Sequence, residues 1–297
     1  MTRTLRALLA ATALLGAVPA AASADTVKGT VVARDAARGT IVTAGRDGTV
    51  ATLRVDRAGG FRAGVRVRAT AAPQADGTYR ASALKRLGRA KTAKVRGALV
   101  RSAGRDYVIS SGASTFTLRA ARVAAPTPAG AVVHADLKVA KGKVAIAKLR
   151  TAGQAATLEL EGTLAGFDGS TLSLRVEGSG AVTVAVPAAV ELTAETGDDV
   201  ELLVTAGPVL GLLAVDGEIE AYGAVAAVAP TAITVGGVTC AVPDYLDLSD
   251  IVAGDTVYLV CVAEDGVLTA DEVELDDESW VDDEEPFNED EDWVDEE

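Results

Sequence analysis

The sequence predicts an all-β protein built from four tandem small modules. Three observations carry this. A short alternating stretch with an internal glycine recurs four times. It is seen at Val27-Lys28-Gly29-Thr30-Val31, Val95-Arg96-Gly97-Ala98-Leu99, Leu160-Glu161-Gly162-Thr163-Leu164 and Ala221-Tyr222-Gly223-Ala224-Val225. The marking glycines are spaced 68, 65 and 61 residues apart (29 to 97, 97 to 162, 162 to 223), about the size of one very small β domain. The composition is rich in Ala, Val, Gly and Thr and only 4% aromatic, which suits short strands, tight turns and small cores.

The first module shows the element order. Val27, Gly29, Val31 and Ala33 alternate with Lys28, Thr30 and Arg34, as a strand with one buried face requires. A polar turn, Asp35 to Gly39, leads to a second strand at Thr40-Ile41-Val42-Thr43. Gly45-Arg46-Asp47-Gly48 is a hairpin signal before a third strand, Thr49 to Val55. A longer link, Asp56 to Ala63, precedes a fourth strand from Gly64 to Ala69, and Ala75-Asp76-Gly77 turns into a fifth, Thr78 to Leu87. Five strands with a long link after the third fit a Greek-key barrel of the OB kind, although a meander or sandwich would use similar strands.

Two further landmarks recur. A glycine opening the fourth strand appears as Gly64, Gly130, Gly197 and Gly254, and a turn glycine before the fifth as Gly77, Gly142, Gly211 and Gly266. The glycine inside strand one has two readings of equal weight. One is a bend or bulge where a barrel curves; the other is a small residue beneath a neighbouring side chain. The expected divisions are residues 25–90, 91–153, 154–217 and 218–275, then a disordered acidic tail at 276–297.

This pattern resembles the secreted bacterial repeat family catalogued as a domain of unknown function (number five-six-six-six). The carrying residues are Val27-Lys28-Gly29-Thr30-Val31, Thr40-Ile41-Val42, Gly64-Val65-Arg66-Val67 and Gly77-Thr78-Tyr79-Arg80-Ala81, with the ending repeated at Gly254-Asp255-Thr256-Val257 and Gly266 to Val273. Modules two and three depart most, at Pro126 to Pro128 and Gly207-Pro208. The resemblance implies an OB-like barrel in a secreted or surface protein, with no catalytic residues to carry over.

Residues 1–24 read as a signal peptide. Arg3 and Arg6 precede an apolar run from Ala7 to Val18, and Ala22-Ser23-Ala24 offers a small-residue cleavage site. The run is shorter than the roughly 20 apolar residues of a membrane span. The mature chain is therefore expected to start at Asp25, outside the cytoplasm and without a span.

A net charge of −14 conceals a division. Residues 25–153 hold 25 Lys and Arg against 7 Asp and Glu; residues 154–297 hold one base, Arg175, against 35 acids. Two modules are basic and two acidic. Such a bipolar chain suits head-to-tail self-association, or binding of an extracellular anionic polymer or another protein, through Lys28, Arg66, Arg68, Lys94 and Arg96. Nucleic acid is not expected, because the basic half offers only Phe61, Tyr79, Tyr107 and Phe116 as stacking platforms, and some of these must be core.

The tail carries 17 acids between Asp271 and Glu297 and both tryptophans of the chain. Trp280, Phe287 and Trp293 are candidate anchors for docking it onto the basic modules. No catalytic, metal or cofactor motif is visible. His134 is the single histidine and stands alone in a strand; there is no nucleophile elbow, phosphate loop or zinc spacing. The two cysteines, Cys240 and Cys261, fall on strands three and four of the last module and alternate with core residues. A disulfide is favoured in an oxidising compartment, with two buried thiols as the alternative. The primary expectation is a non-catalytic, secreted binding or surface-structural protein; the alternative is a polyanion or glycan binder modulated by its tail.

Overall fold

A computed structural model describes residues 24–122, 127–176, 181–264 and 266–276. The leader, Pro126 and the tail anchors Trp280, Phe287 and Trp293 lie outside these residues. The regular structure of the described chain is almost entirely strand, with one short 3-10 turn at Ala58–Gly60. The first five strands are β1 (Asp25–Asp35), β2 (Thr40–Ala44), β3 (Val50–Arg54), β4 (Val65–Pro73) and β5 (Tyr79–Arg89), and they close a barrel in the order β1-β2-β3-β5-β4. Their inward residues, Val31, Ile41, Leu53, Val65, Val67, Ala69 and Ala71, form one small core.

The next five, β6 (Thr92–Ala103), β7 (Asp106–Ser110), β8 (Thr115–Ala120), β9 (Ala131–Ala140) and β10 (Lys143–Gln154), close a second barrel with the same order. The remaining strands are β11 (Thr157–Phe167), β12 (Thr171–Arg175), β13 (Ala181–Ala185), β14 (Val190–Glu191), β15 (Asp199–Thr205), β16 (Leu210–Val215), β17 (Glu218–Ala229), β18 (Ala232–Val235), β19 (Val238–Ala241), β20 (Thr256–Glu264) and β21 (Val267–Leu275). They form one continuous sheet of 11 strands. Within it, the β13–β16 and β17–β20 pairings repeat the five-strand cycle twice. The third and fourth modules are thus not separate sheets, because β16 and β14 both pair with β17 across their boundary.

The repeated glycine lies where strand one changes partner. Gly29, Gly97, Gly162 and Gly223 pair with Val67, Val133, Val200 and Val257 of the fourth strand. In the first three modules the second strand crosses directly over the glycine. An added Cβ would meet the carbonyl oxygen of Ala44 at 2.9 Å, Ser110 at 2.4 Å and Arg175 at 2.5 Å. So the constraint is largely a neighbouring backbone. At Gly223 nothing approaches closer than 3.9 Å, and a φ of +151° requires the glycine instead. Gly97→Ala should therefore destabilise the protein by about 1–3 kcal/mol, the usual cost of forcing extra volume into a closed packing arrangement. Gly29→Ala should cost less; thermal unfolding of the two variants side by side checks the ranking.

A bulge does exist, but two residues further on. Strand one slips register between Val31 and Ala33, Leu99 and Arg101, Leu164 and Gly166, and Val225 and Ala227. The carbonyls before each slip, on Val31, Leu99, Leu164 and Val225, accept from the amides of Gly64, Gly130, Gly197 and Gly254 at 2.7–2.9 Å. Two of the three sequence landmarks are thus bonded to each other in every module. A bulge re-aims a side chain. Val32 and Val100, the extra residues, leave their own barrels and are buried in the clusters shared with the following module.

The third landmark needs correction in module three. Gly77, Gly142 and Gly266 hold positive φ in turns, but Gly211 lies inside β16. The turn before β16 is formed by residues 206–209, which include Gly207-Pro208. Strand limits also shift. The fourth strand runs on to Pro73 and the fifth to Arg89, because their pairing continues past the last buried residue. Cys240 on β19 and Cys261 on β20 are fully buried and joined by a disulfide. Those strands are not neighbours, since β21 separates them, so the bond spans the inside of the fourth module.

Candidate polyanion interface

The fourth strand of the first module alternates strictly. Val65, Val67 and Ala69 fill the barrel, which forces Arg66 and Arg68 outward. Register then sets like charges side by side. Lys28 on β1 pairs with Arg68 on β4, and Arg68 pairs with Lys85 on β5, giving a row of three cations across three strands. The same row recurs one module later as Arg96, His134 and Arg150. In the third module it becomes Glu161, Glu201 and Asp216, where Glu161 pairs with Glu201 and the amide of Glu201 donates to Asp216 Oδ1 at 2.8 Å. In the fourth it is Tyr222, Tyr258 and Glu274. His134 is thus half-buried on β9, between Arg96 and Arg150 in register.

An open groove of about 840 Å³ runs beside the first row, along β1 and across to the start of β6. Lys28, Arg46, Arg66, Arg68, Arg89, Lys91 and Lys94 line it, and among the described residues no carboxylate does. All seven are exposed, and among the described residues none is in an ion pair. Four of the five cations expected from the sequence thus share one groove. Arg96 does not line it. Its side chain lies over Gly48 of the β2–β3 hairpin, whose carbonyl accepts from the Arg96 amide at 2.8 Å. Sequence reasoning missed Arg46, Arg89 and Lys91. They come from a hairpin, a strand end and the intermodule link, and only barrel closure brings them beside Lys28.

The junction of the third and fourth modules holds a groove in the corresponding place, at the end of one fifth strand and the start of the next first strand. It measures about 420 Å³ and is lined by Glu191, Asp198, Asp199, Asp216, Glu218 and Glu220 with no base. One cation reaches this region from the first module, Arg38, which pairs with Asp199 at 2.5 Å. Nearby, the Glu220 carboxylate accepts from the Tyr258 phenol, which pushes that phenol up to about 12. Among the described residues no group of three or more acids, cysteines or histidines is arranged to hold a metal.

Acid crowding leaves a titration signature. Burial first, then the charges of Glu159, Asp216 and Asp76, raises the Glu201 carboxyl above its ordinary value. A carboxyl raised by folding stabilises the fold only while protonated, and that contribution is lost as pH rises through the folded value. Glu201→Gln should therefore raise the melting temperature at neutral pH, and the gain should vanish below the ordinary glutamate value of 4.5. Equal melting temperatures at pH 7 would contradict this.

A scan against protein-family models finds no match, and a search of curated proteins finds none either. A search of solved structures returns a multidomain protein with nucleic acid binding domains from Streptococcus pneumoniae. It is 12% identical, with 63% of this chain and 72% of that chain covered and a TM-score of 0.17. A superposition that loose carries no information about a ligand. Among the described residues no helix is long and apolar enough to cross a membrane.

Proposed function

We propose that this is an exported, non-catalytic binding protein of four OB-like barrels whose first two modules hold an extracellular anionic polymer. The carrying observation is the groove of seven cations that, among the described residues, has no ion pair and no carboxylate. Like charges directly opposite on neighbouring strands destabilise a sheet. The Lys28–Arg68–Lys85 row is therefore stabilised when a polyanion lies across it. The resemblance to the secreted repeat family and the signal-peptide pattern of residues 1–24 support a ligand met outside the cytoplasm, such as an acidic glycan or a phosphate-rich wall polymer.

The acidic tail is a competitor for the same groove. Residues 277–297 carry 13 acids and no base, together with Trp280, Phe287 and Trp293. Removing residues 276–297 should strengthen binding to immobilised heparin at low salt. Unchanged retention would remove the tail from the mechanism without touching the groove.

A further inference from the structure

Each junction inside the chain uses one device. The amide just before the marking glycine points away from the fourth strand and is capped by the preceding module. Arg96 donates to Gly48 O at 2.8 Å, Glu161 to Thr115 Oγ1 at 2.9 Å, and Tyr222 to Ala189 O at 2.9 Å. At the last junction the cap extends into backbone pairing, Val190 with Ala221 and Glu191 with Glu220. The residue two before the glycine is sealed in all three cases. Val95, Leu160 and Ala221 are each 0% exposed.

In the first module the register is the same, and among the described residues no cap is present. Lys28 holds the corresponding position on β1, and no described module precedes it. Val27, the counterpart of the sealed residues, is only half-buried. Among the described residues, Thr26, Val27 and Lys28 therefore form an uncapped socket.

The other end presents a matching plug. In the third module Val186-Pro187-Ala188-Ala189-Val190 makes a turn, with the amide of Val186 on Ser170 O and that of Val190 on Pro187 O. Val242-Pro243-Asp244-Tyr245-Leu246 repeats that turn in the fourth, with Val242 on Thr231 O and Leu246 on Pro243 O. In the third module the turn delivers Ala189 and β14 to the next first strand. In the fourth, the described residues contain no further first strand to receive it. Tyr245 stands 74% exposed and Val252 58% exposed beside a mixed hollow of about 350 Å³ lined by Leu246, Leu248 and Ile251 together with Asp247 and Ser249. Charge also matches, because residues 243–255 carry four aspartates, Asp244, Asp247, Asp250 and Asp255, and no base, whereas the socket is flanked by Lys28, Arg46 and Arg68.

We propose that the plug of one copy fills the socket of the next. Tyr245 O would accept from the Lys28 amide, and Leu246-Asp247 would lie along Val27-Thr26 as β14 lies along β17. Such a contact is heterologous and need not close, so it builds linear arrays. It rests on the junction geometry and the charge match, and not on polymer binding.

Two blocked ends test it, using the chain from Asp25 to Glu297, which keeps every described strand. Lys28→Pro removes the socket donor, and proline is tolerated where an amide faces off the sheet. Asp247→Pro removes the plug donor, and Tyr245→Glu blocks the plug without altering backbone. In sedimentation velocity the parent should grow beyond one chain as its concentration rises. Each blocked variant should associate roughly tenfold more weakly or worse. A mixture of Lys28→Pro with either plug variant should form a species of two chains and no larger, because each supplies one intact end. A parent that stays single, or a mixture that does not pair, overturns the proposal. The plug variants should retain heparin binding, so loss of heparin binding by the parent would count against the groove and not against the array.

Discussion

Reversing three groove charges, Lys28→Glu with Arg66→Glu and Arg68→Glu, should weaken binding to heparin or long-chain polyphosphate by at least about a hundredfold at low salt. Polyanion binding draws on counterion release, so log affinity falls linearly with log salt, with a slope set by the number of contacts. The triple variant should lose slope as well as affinity, which a merely misfolded protein would not do in a graded way. Arg96→Glu is the informative comparison. Arg96 lies outside the groove, with its Cγ over Gly48 of the β2–β3 hairpin, so its effect should be far smaller. Retention of the triple variant at the parent's salt concentration would dismiss the groove as a binding site. These residues are exposed and unpaired in the structure, so the substitutions cost the fold little.

Removing the disulfide as Cys240→Ala with Cys261→Ala should cost about 3 kcal/mol on the chain-entropy account of a loop this length. The two cysteines are 21 residues apart in sequence and meet inside the fourth module. There the bond links β19 to β20 across β21, so it ties together strands that share no backbone pairing. Calorimetry should show the loss in the part of the transition belonging to the eleven-stranded sheet, with the first two barrels unchanged. A reductant added to the parent should reproduce it. Thiol titration of the denatured parent should find no free groups; two would overturn the assignment.

The sequence made the repeat legible because a glycine is required in every copy, by a passing backbone in three and by a φ of +151° at Gly223. A glycine is needed wherever a neighbouring backbone passes within 3 Å, and Gly29, Gly97 and Gly162 each meet such an approach. The approaching atom belongs to the end of the second strand. No periodicity states that, and so bulge and contact stayed undivided until the fold was in view. Gly211 misled because a glycine near the right spacing looks like a turn, whereas the turn there is made at residues 206–209.

The sequence by itself determined the all-β class, the four repeats, the separation of charge and the shared inward face of Cys240 and Cys261. These follow from alternation and composition, which neighbouring residues express directly. Only the tertiary structure decided that Arg46, Arg89 and Lys91 join Lys28 in one groove and that Arg96 leaves it. It also decided that Glu201 is crowded by Glu159 and Asp216, and that Val32 and Val100 are turned out to meet the next module. Barrel closure brings together strands far apart in sequence, and a one-residue bulge reassigns which face a side chain serves.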